Sequence, residues 1–132
     1  RRRLKSATPD EENKMLRMMC KSKIQKATVT ETNLEYEGSI SIDRNIMVKA
    51  DILPYEMVLI VNLNTGARFE TYAIPAGKNS GVIGLQGGAA RLGEVGDKLI
   101  IISYAFIQEE RAKVYKPKIV LLDEKNRPIK NT

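Results

Sequence analysis

The chain has 132 residues, 22 of them basic and 16 acidic, giving a net charge of +6, and it contains no histidine. That length holds one domain around one core. Without histidine there can be no Ser-His-Asp triad and no histidine base, and with a single cysteine a zinc site has almost nothing to draw its ligands from.

Residues 1–14 read as a flexible extension, a natural arm or a cloning remnant. They have no apolar stretch of the kind a secretory signal needs. They carry +2 of the charge; the other +4 is spread singly through the body, a pattern that suits small anions as well as phosphate backbones. Apolar residues begin at Met15-Leu-Arg-Met-Met-Cys20. Cys20 has no partner for an internal disulfide, which implies a reducing, cytoplasmic setting. No apolar run is long enough to span a bilayer, so no membrane association is expected.

Short β-branched runs follow, separated by turn signals, as in a small all-β barrel. Lys23 to Thr30 alternates. Leu34, Tyr36, Ile40 and Ile42 share one parity around Gly38-Ser39, which reads as a single strand-like stretch. Asp43 is an N-cap for a helix over 44–52, with Ile46, Met47 and Ala50 at helical spacing and Pro54 beyond. Met57 to Leu63 reads as a central strand ending in the Asn64-Thr65-Gly66 turn. Arg68 to Ile74 alternates until Pro75-Ala-Gly77. Val82 to Leu85 is a short strand, Gly88 to Leu92 one helical turn, and Lys98 to Phe106 the strongest strand. Gln108 to Lys113 makes another turn and Lys118 to Leu122 a late strand. One β-barrel domain is expected over 15–122, with a tail over 123–132.

Several residues could carry chemistry. Gly38-Ser39 is on its face a common turn or bulge dipeptide. It also suits self-cleavage, since glycine reaches the backbone angles at which a serine could attack the carbonyl before it. The product would be a pyruvoyl cap on residue 39. Such a carbonyl can form a Schiff base with an amino acid and accept the electrons left when CO2 departs. Arg68, Glu70 and Tyr72 share a strand face, with Arg68 and Tyr72 roughly 13 Å apart. Arg68 either pairs with Glu70 in solvent or grips a carboxylate; Tyr72 either covers the core edge or delivers a proton. Thr71 faces the other way. Lys23 is a surface cation or a second contact for a dicarboxylate. The segment Gly84 to Arg91 is either a tight strand-to-helix turn or a backbone cradle for an anion.

Read in order, Met15-Leu-Arg17, Lys21-Ser-Lys-Ile24, Ala27-Thr-Val-Thr30, Leu34-Glu-Tyr-Glu-Gly-Ser-Ile-Ser-Ile-Asp43, Ala50-Asp-Ile-Leu-Pro54, Asn64-Thr-Gly-Ala-Arg-Phe-Glu-Thr-Tyr72, Gly87-Gly-Ala-Ala-Arg91 and Gly96-Asp97 before Ile100-Ile-Ile-Ser-Tyr104 resemble the aspartate 1-decarboxylase family, bacterial enzymes of pantothenate synthesis. The resemblance implies a mainly β fold, a small double-psi β-barrel with a few short helices, assembled as a homotetramer with active sites between subunits. It implies conversion of L-aspartate to β-alanine and CO2 in the cytoplasm, with a pyruvoyl group derived from Ser39 and neither metal nor pyridoxal phosphate. Gly38 and Ser39 would flank the cut, with Thr71 assisting. Arg68 and Lys23 would hold the substrate carboxylates, and Tyr72 would be the proton donor. The backbone of Gly87, Gly88 and Ala89 would meet the substrate, and Tyr36 and Gln86 would line the pocket. This chain has Gln25 where the family commonly has histidine, Gln86 where it usually has asparagine, and Gly88 where it has alanine. The alternative is a non-enzymatic basic β-barrel that binds nucleic acid. It is weakened by a supply of two Phe, five Tyr and no Trp, with no clustered stacking platform.

Overall fold

The β-branched runs pair into one mixed sheet of eight strands in the computed structural model, which describes residues 14–129. The expectations for residues 1–13 and 130–132 lie outside the described residues. The strands are β1 (Leu16–Thr28), β2 (Glu31–Asn33), β3 (Ser39–Asp43), β4 (Met57–Asn62), β5 (Arg68–Ala76), β6 (Ile83–Gln86), β7 (Lys98–Gln108) and β8 (Lys118–Leu121). The helices are α1 (Arg44–Lys49), a 3-10 helix (Gly87–Leu92) and α2 (Glu109–Ala112). The sheet order is β2-β6-β3-β5-β4-β7-β1-β8. Three pairs are parallel (β3 with β5, β1 with β8, β2 with β6) and the other four, three of them consecutive from β5 to β1, are antiparallel. Among the described residues no helix is long and apolar enough to cross a membrane.

The inward rows of six strands, β1 and β3 to β7, build the core: Ile24, Ile40, Ile42, Val58, Ile60, Ala73, Ile83, Leu85, Leu99 and Ile101 are all buried together. Helix α1 adds Ile46 and Met47. It starts where expected, with the Asp43 carboxylate accepting the Asn45 N–H at 2.8 Å. It stops three residues short of the expected end, because Asp51 takes a left-handed turn and Ile52 N–H returns to the Met47 carbonyl. Strand β5 runs through Pro75 to Ala76 instead of stopping before it. Beyond Tyr72 one side of β5 has no partner strand, so Pro75 has a side on which its missing N–H breaks no ladder.

The largest departure lies between residues 34 and 42. Parity suggests one strand through Gly38-Ser39, yet the chain leaves β2 at Asn33, turns over residues 34–38, and enters β3 at Ser39. The Asn33 side chain accepts the Glu35 N–H at 2.9 Å, an Asx turn that ends the first strand.

Two buried side chains fasten the loops around this sheet. Asp43 also accepts the N–H groups of Asn79 and Gly81, each at 2.9 Å. Asn126, 1% exposed, behaves like a piece of strand. Its Oδ1 accepts from Thr28 N, and its Nδ2 donates to Thr28 O and Gly81 O, all at 2.8 Å. Residues 122–129 are thereby folded back on the sheet, with Leu122 bridged to Pro128. Asn126→Ala removes the partner of three backbone groups, two partly buried on Thr28 and one buried on Gly81, and puts an alanine in the left-handed region that asparagine tolerates. A loss of about 3 kcal/mol is expected, measured as a lower urea midpoint with an unchanged slope.

Candidate active site

Strand β3 is short because it has work at both ends: Asp43 caps a helix, and Ser39 begins the ladder directly opposite Gln86 of β6. Paired residues place their side chains on the same face of a sheet. Ile40 opposite Leu85 and Ala73 faces the core, so Ser39 and Gln86 face away from it, and Tyr72 of β5 falls on that same outer row. Ser39 is nevertheless only 6% exposed, covered by the turn before it. Its hydroxyl donates to the Glu37 carbonyl at a long 3.4 Å.

The turn sits where it does because of Gly87. This residue has φ +61°, and a Cβ there would lie 2.6 Å from Gly38 N and 2.8 Å from Glu37 C, and would collide with Tyr36 O. Only a glycine lets the 3-10 helix start lie flat against the Tyr36-Glu37-Gly38 backbone. Gly88 N is close enough to Gly38 to touch a Cβ built there, at 3.9 Å. Ala89 is buried behind it, and the Tyr36 side chain stands exposed at the rim.

One sheet region therefore gathers Tyr36, Gly38, Ser39, Gln86, Gly87, Gly88 and Tyr72. Thr71 neighbours Tyr72 but pairs with the buried Val58, on the row that faces inward. Arg68 is four residues from Tyr72, at the far end of β5. Lys23 is in β1, four strand steps from β3 or roughly 19 Å along the sheet. Register still puts both cations on the outer face: Lys23 aligns with Ile102, Leu59 and Glu70, and Arg68 is two residues from Glu70. A single copy thus separates Arg68 and Lys23 from Ser39.

Sequence reasoning missed three neighbours. The Tyr55 ring stacks on that of Tyr72, with centroids 6.1 Å apart, and Tyr55 reaches this position in a left-handed conformation at φ +70°. Its N–H donates to the Ala73 carbonyl at 2.7 Å, which fixes the turn beside Tyr72. Glu31 and Ser41 both bind the Gln86 amide. Cys20 stands apart from this region, and burial pushes its thiol up against the opposing pull of the Lys23 charge, which disfavours the thiolate.

Comparison with known proteins gives a consistent result. The family model described as aspartate decarboxylase matches residues 15–129. The chain is similar to an aspartate 1-decarboxylase of Thermoanaerobacter pseudethanolicus, 56% identical over 115 residues, covering 87% of this chain and 98% of the relative. An aspartate 1-decarboxylase of Carboxydothermus hydrogenoformans is 53% identical over 116 residues, covering 88% and 91%. One from Campylobacter jejuni is 56% identical over 114 residues, covering 86% and 90%.

Proposed function

Because the chain belongs to the aspartate decarboxylase family, we propose that it cuts itself between Gly38 and Ser39 and uses the altered residue 39 to turn L-aspartate into β-alanine and CO2. The activity is that of an aspartate 1-decarboxylase, a lyase of the pantothenate pathway. The observation that carries the self-cleavage reading is the placement of Ser39: a nearly buried serine at the junction of an exposed turn and a strand.

In the cut, Ser39 Oγ attacks the Gly38 carbonyl carbon. The C–N bond breaks as the C–O bond forms, and the hydroxyl proton passes to the Ser39 nitrogen. Loss of the Ser39 α-proton then expels Gly38 as a carboxylate. The dehydroalanine left behind takes up water and releases ammonia. A pyruvoyl group at residue 39 fits this site in its backbone: Gly87 leaves room for the chain beside residue 39, where any Cβ would meet Gly38 N and Glu37 C. When present, it would supply a carbonyl that accepts the electrons released with CO2.

The other residues bind and protonate. Arg68 offers a bidentate fork and Lys23 a point charge to the two carboxylates of aspartate. Tyr72, held by the Tyr55 ring, gives its hydroxyl proton to the carbon that has lost CO2. The role in the cut that the resemblance implies for Thr71 requires its side chain to leave the inward row it occupies in this copy, while the Gly87, Gly88 and Ala89 backbone and Tyr36 close the pocket. Since one copy keeps Lys23 and Arg68 away from Ser39, the site is completed between subunits of a homotetramer. A surface for this exists: Met18, Met57 and Phe106 are more than half exposed and lie around one groove with Leu59 and Tyr104. The mixed strand order, with crossovers between parallel pairs, supports a double-psi β-barrel, and the setting is the cytoplasm.

Intact-mass measurement on denatured protein tests the reading. Two fragments are expected, residues 1–38 and residues 39–132, the second without a free amino group. A chain that stays whole through prolonged warm incubation, and releases no β-alanine, would overturn it.

A further inference from the structure

The Gln86 amide is anchored at its nitrogen and free at its oxygen. Nε2 donates to Glu31 Oε2 at 3.2 Å and to Ser41 Oγ at 3.3 Å, while the buried Oε1 has no partner. A carboxylate can only accept, so Glu31 dictates that the amide nitrogen faces it and the oxygen is left over. Room for this pairing comes from Gly84, which is opposite both Glu31 and Ser41. A Cβ on Gly84 would stand 2.8 Å from Gln86 Nε2 and 2.8 Å from Glu31 Cγ. An unmet buried acceptor is costly, and this one belongs to the residue facing Ser39 across the ladder, where opposed Cβ atoms are about 5 Å apart.

We propose that Glu31 is a positioning residue for the Gly38–Ser39 cut, orienting Gln86 so that its free amide oxygen receives the hydrogen of the Ser39 hydroxyl. The inference rests on Ser39 being the self-cleaving residue. At rest that hydrogen points at Glu37 O over 3.4 Å. To attack, an Oγ lone pair must face the Gly38 carbon, and the O–H must turn to another acceptor. Gln86 is on the same face and its Oε1 has nothing else to accept, so the Ser39 side chain, and not its O–H alone, turns toward the amide, which lies over Gly84. It takes no proton; it holds the hydroxyl in an attacking orientation, and the proton goes to the Ser39 nitrogen as before. The Glu31 charge acts through Nε2, polarising the amide and making Oε1 a stronger acceptor.

Freshly purified wild type and variants would be incubated warm and followed by intact mass, with urea midpoints measured alongside. Glu31→Leu is expected to slow the appearance of the 39–132 fragment about tenfold with little change in midpoint, because Glu31 is exposed. Glu35→Leu, on the exposed turn nearby, is expected to cut at the wild-type rate. The exchange Glu31→Gln with Gln86→Glu is the rescue: the amide at 31 donates to the carboxylate at 86, which keeps a spare oxygen for Ser39. It should cut within about twofold of wild type, whereas Gln86→Glu alone, facing Glu31, should not. Wild-type cutting by Glu31→Leu, or an exchange no faster than Glu31→Leu, overturns the role of Glu31 while leaving the self-cleavage reading intact. A wild-type chain that never cuts overturns both.

Discussion

Ser39→Ala is expected to leave the chain whole and to reduce β-alanine release to the uncatalysed background. The substitution removes one oxygen from a side chain that is 6% exposed and makes a single long hydrogen bond, to Glu37 O. Loss of that bond costs on the order of 0.5–1 kcal/mol, so the protein should fold and melt nearly as wild type does. Chemistry, by contrast, loses its starting point. Without Oγ nothing attacks the Gly38 carbonyl, and without the cut no electron-accepting carbonyl arises at residue 39. Intact mass, a product assay and a urea titration together check this. Measurable β-alanine from a folded Ser39→Ala protein would mean that the electron sink lies elsewhere.

Gly87→Ala is expected to be nearly as damaging by a different route. The new methyl would meet only backbone: Gly38 N at 2.6 Å, Glu37 C at 2.8 Å and Tyr36 O. Backbone cannot rotate out of the way as a side chain can. A left-handed alanine at φ +61° adds strain of its own. Together these cost about 3 kcal/mol, relieved most easily by pushing the 36–38 turn off the helix start. Since the Gly38–Ser39 bond hangs from that turn, the cut should slow at least a hundredfold even in the folded fraction, roughly the rate equivalent of that strain. Gly88→Ala is the contrast for stability: nothing lies within 4 Å of a Cβ there, so its urea midpoint should match wild type.

Local chemistry made much of the fold legible before any coordinates. Asp43 ahead of apolar residues at helical spacing announced α1, and the long β-branched runs at Met57 and Lys98 announced the two strands that carry the middle of the sheet. Parity failed at residues 34–42, since alternation persists whether or not the chain turns. The turn depends on Asn33 binding Glu35 N and on Gly87 receiving the backbone from another part of the sequence. The site shows the same division. Ser39, Tyr72 and Gly87 could be named from the sequence, but taken alone they read as readily as turn and strand residues, and the family resemblance was needed to single them out. Glu31 could not be named, because one acidic residue at a strand start carries no signal until β2 and β6 pair and bring it beside Gln86. Tyr55 was hidden for a similar reason: its stacking on Tyr72 needs a left-handed turn residue after Pro54 that no periodicity marks. The separation of Lys23 and Arg68 from Ser39 follows from strand order, which is a property of the assembled sheet.

The turn between β2 and β3 bears on what would follow the proposed cut. Upstream of it, β1 is laced between β7 and β8, and β2 lies along β6. The two pieces of a cut chain would therefore stay interwoven, and dilution would not part them. Unfolding would. A nicked molecule that melts becomes two species that must find each other again, so its recovery depends on protein concentration, whereas an uncut chain refolds by itself. A cut at Gly38–Ser39 would make maturation a one-way passage.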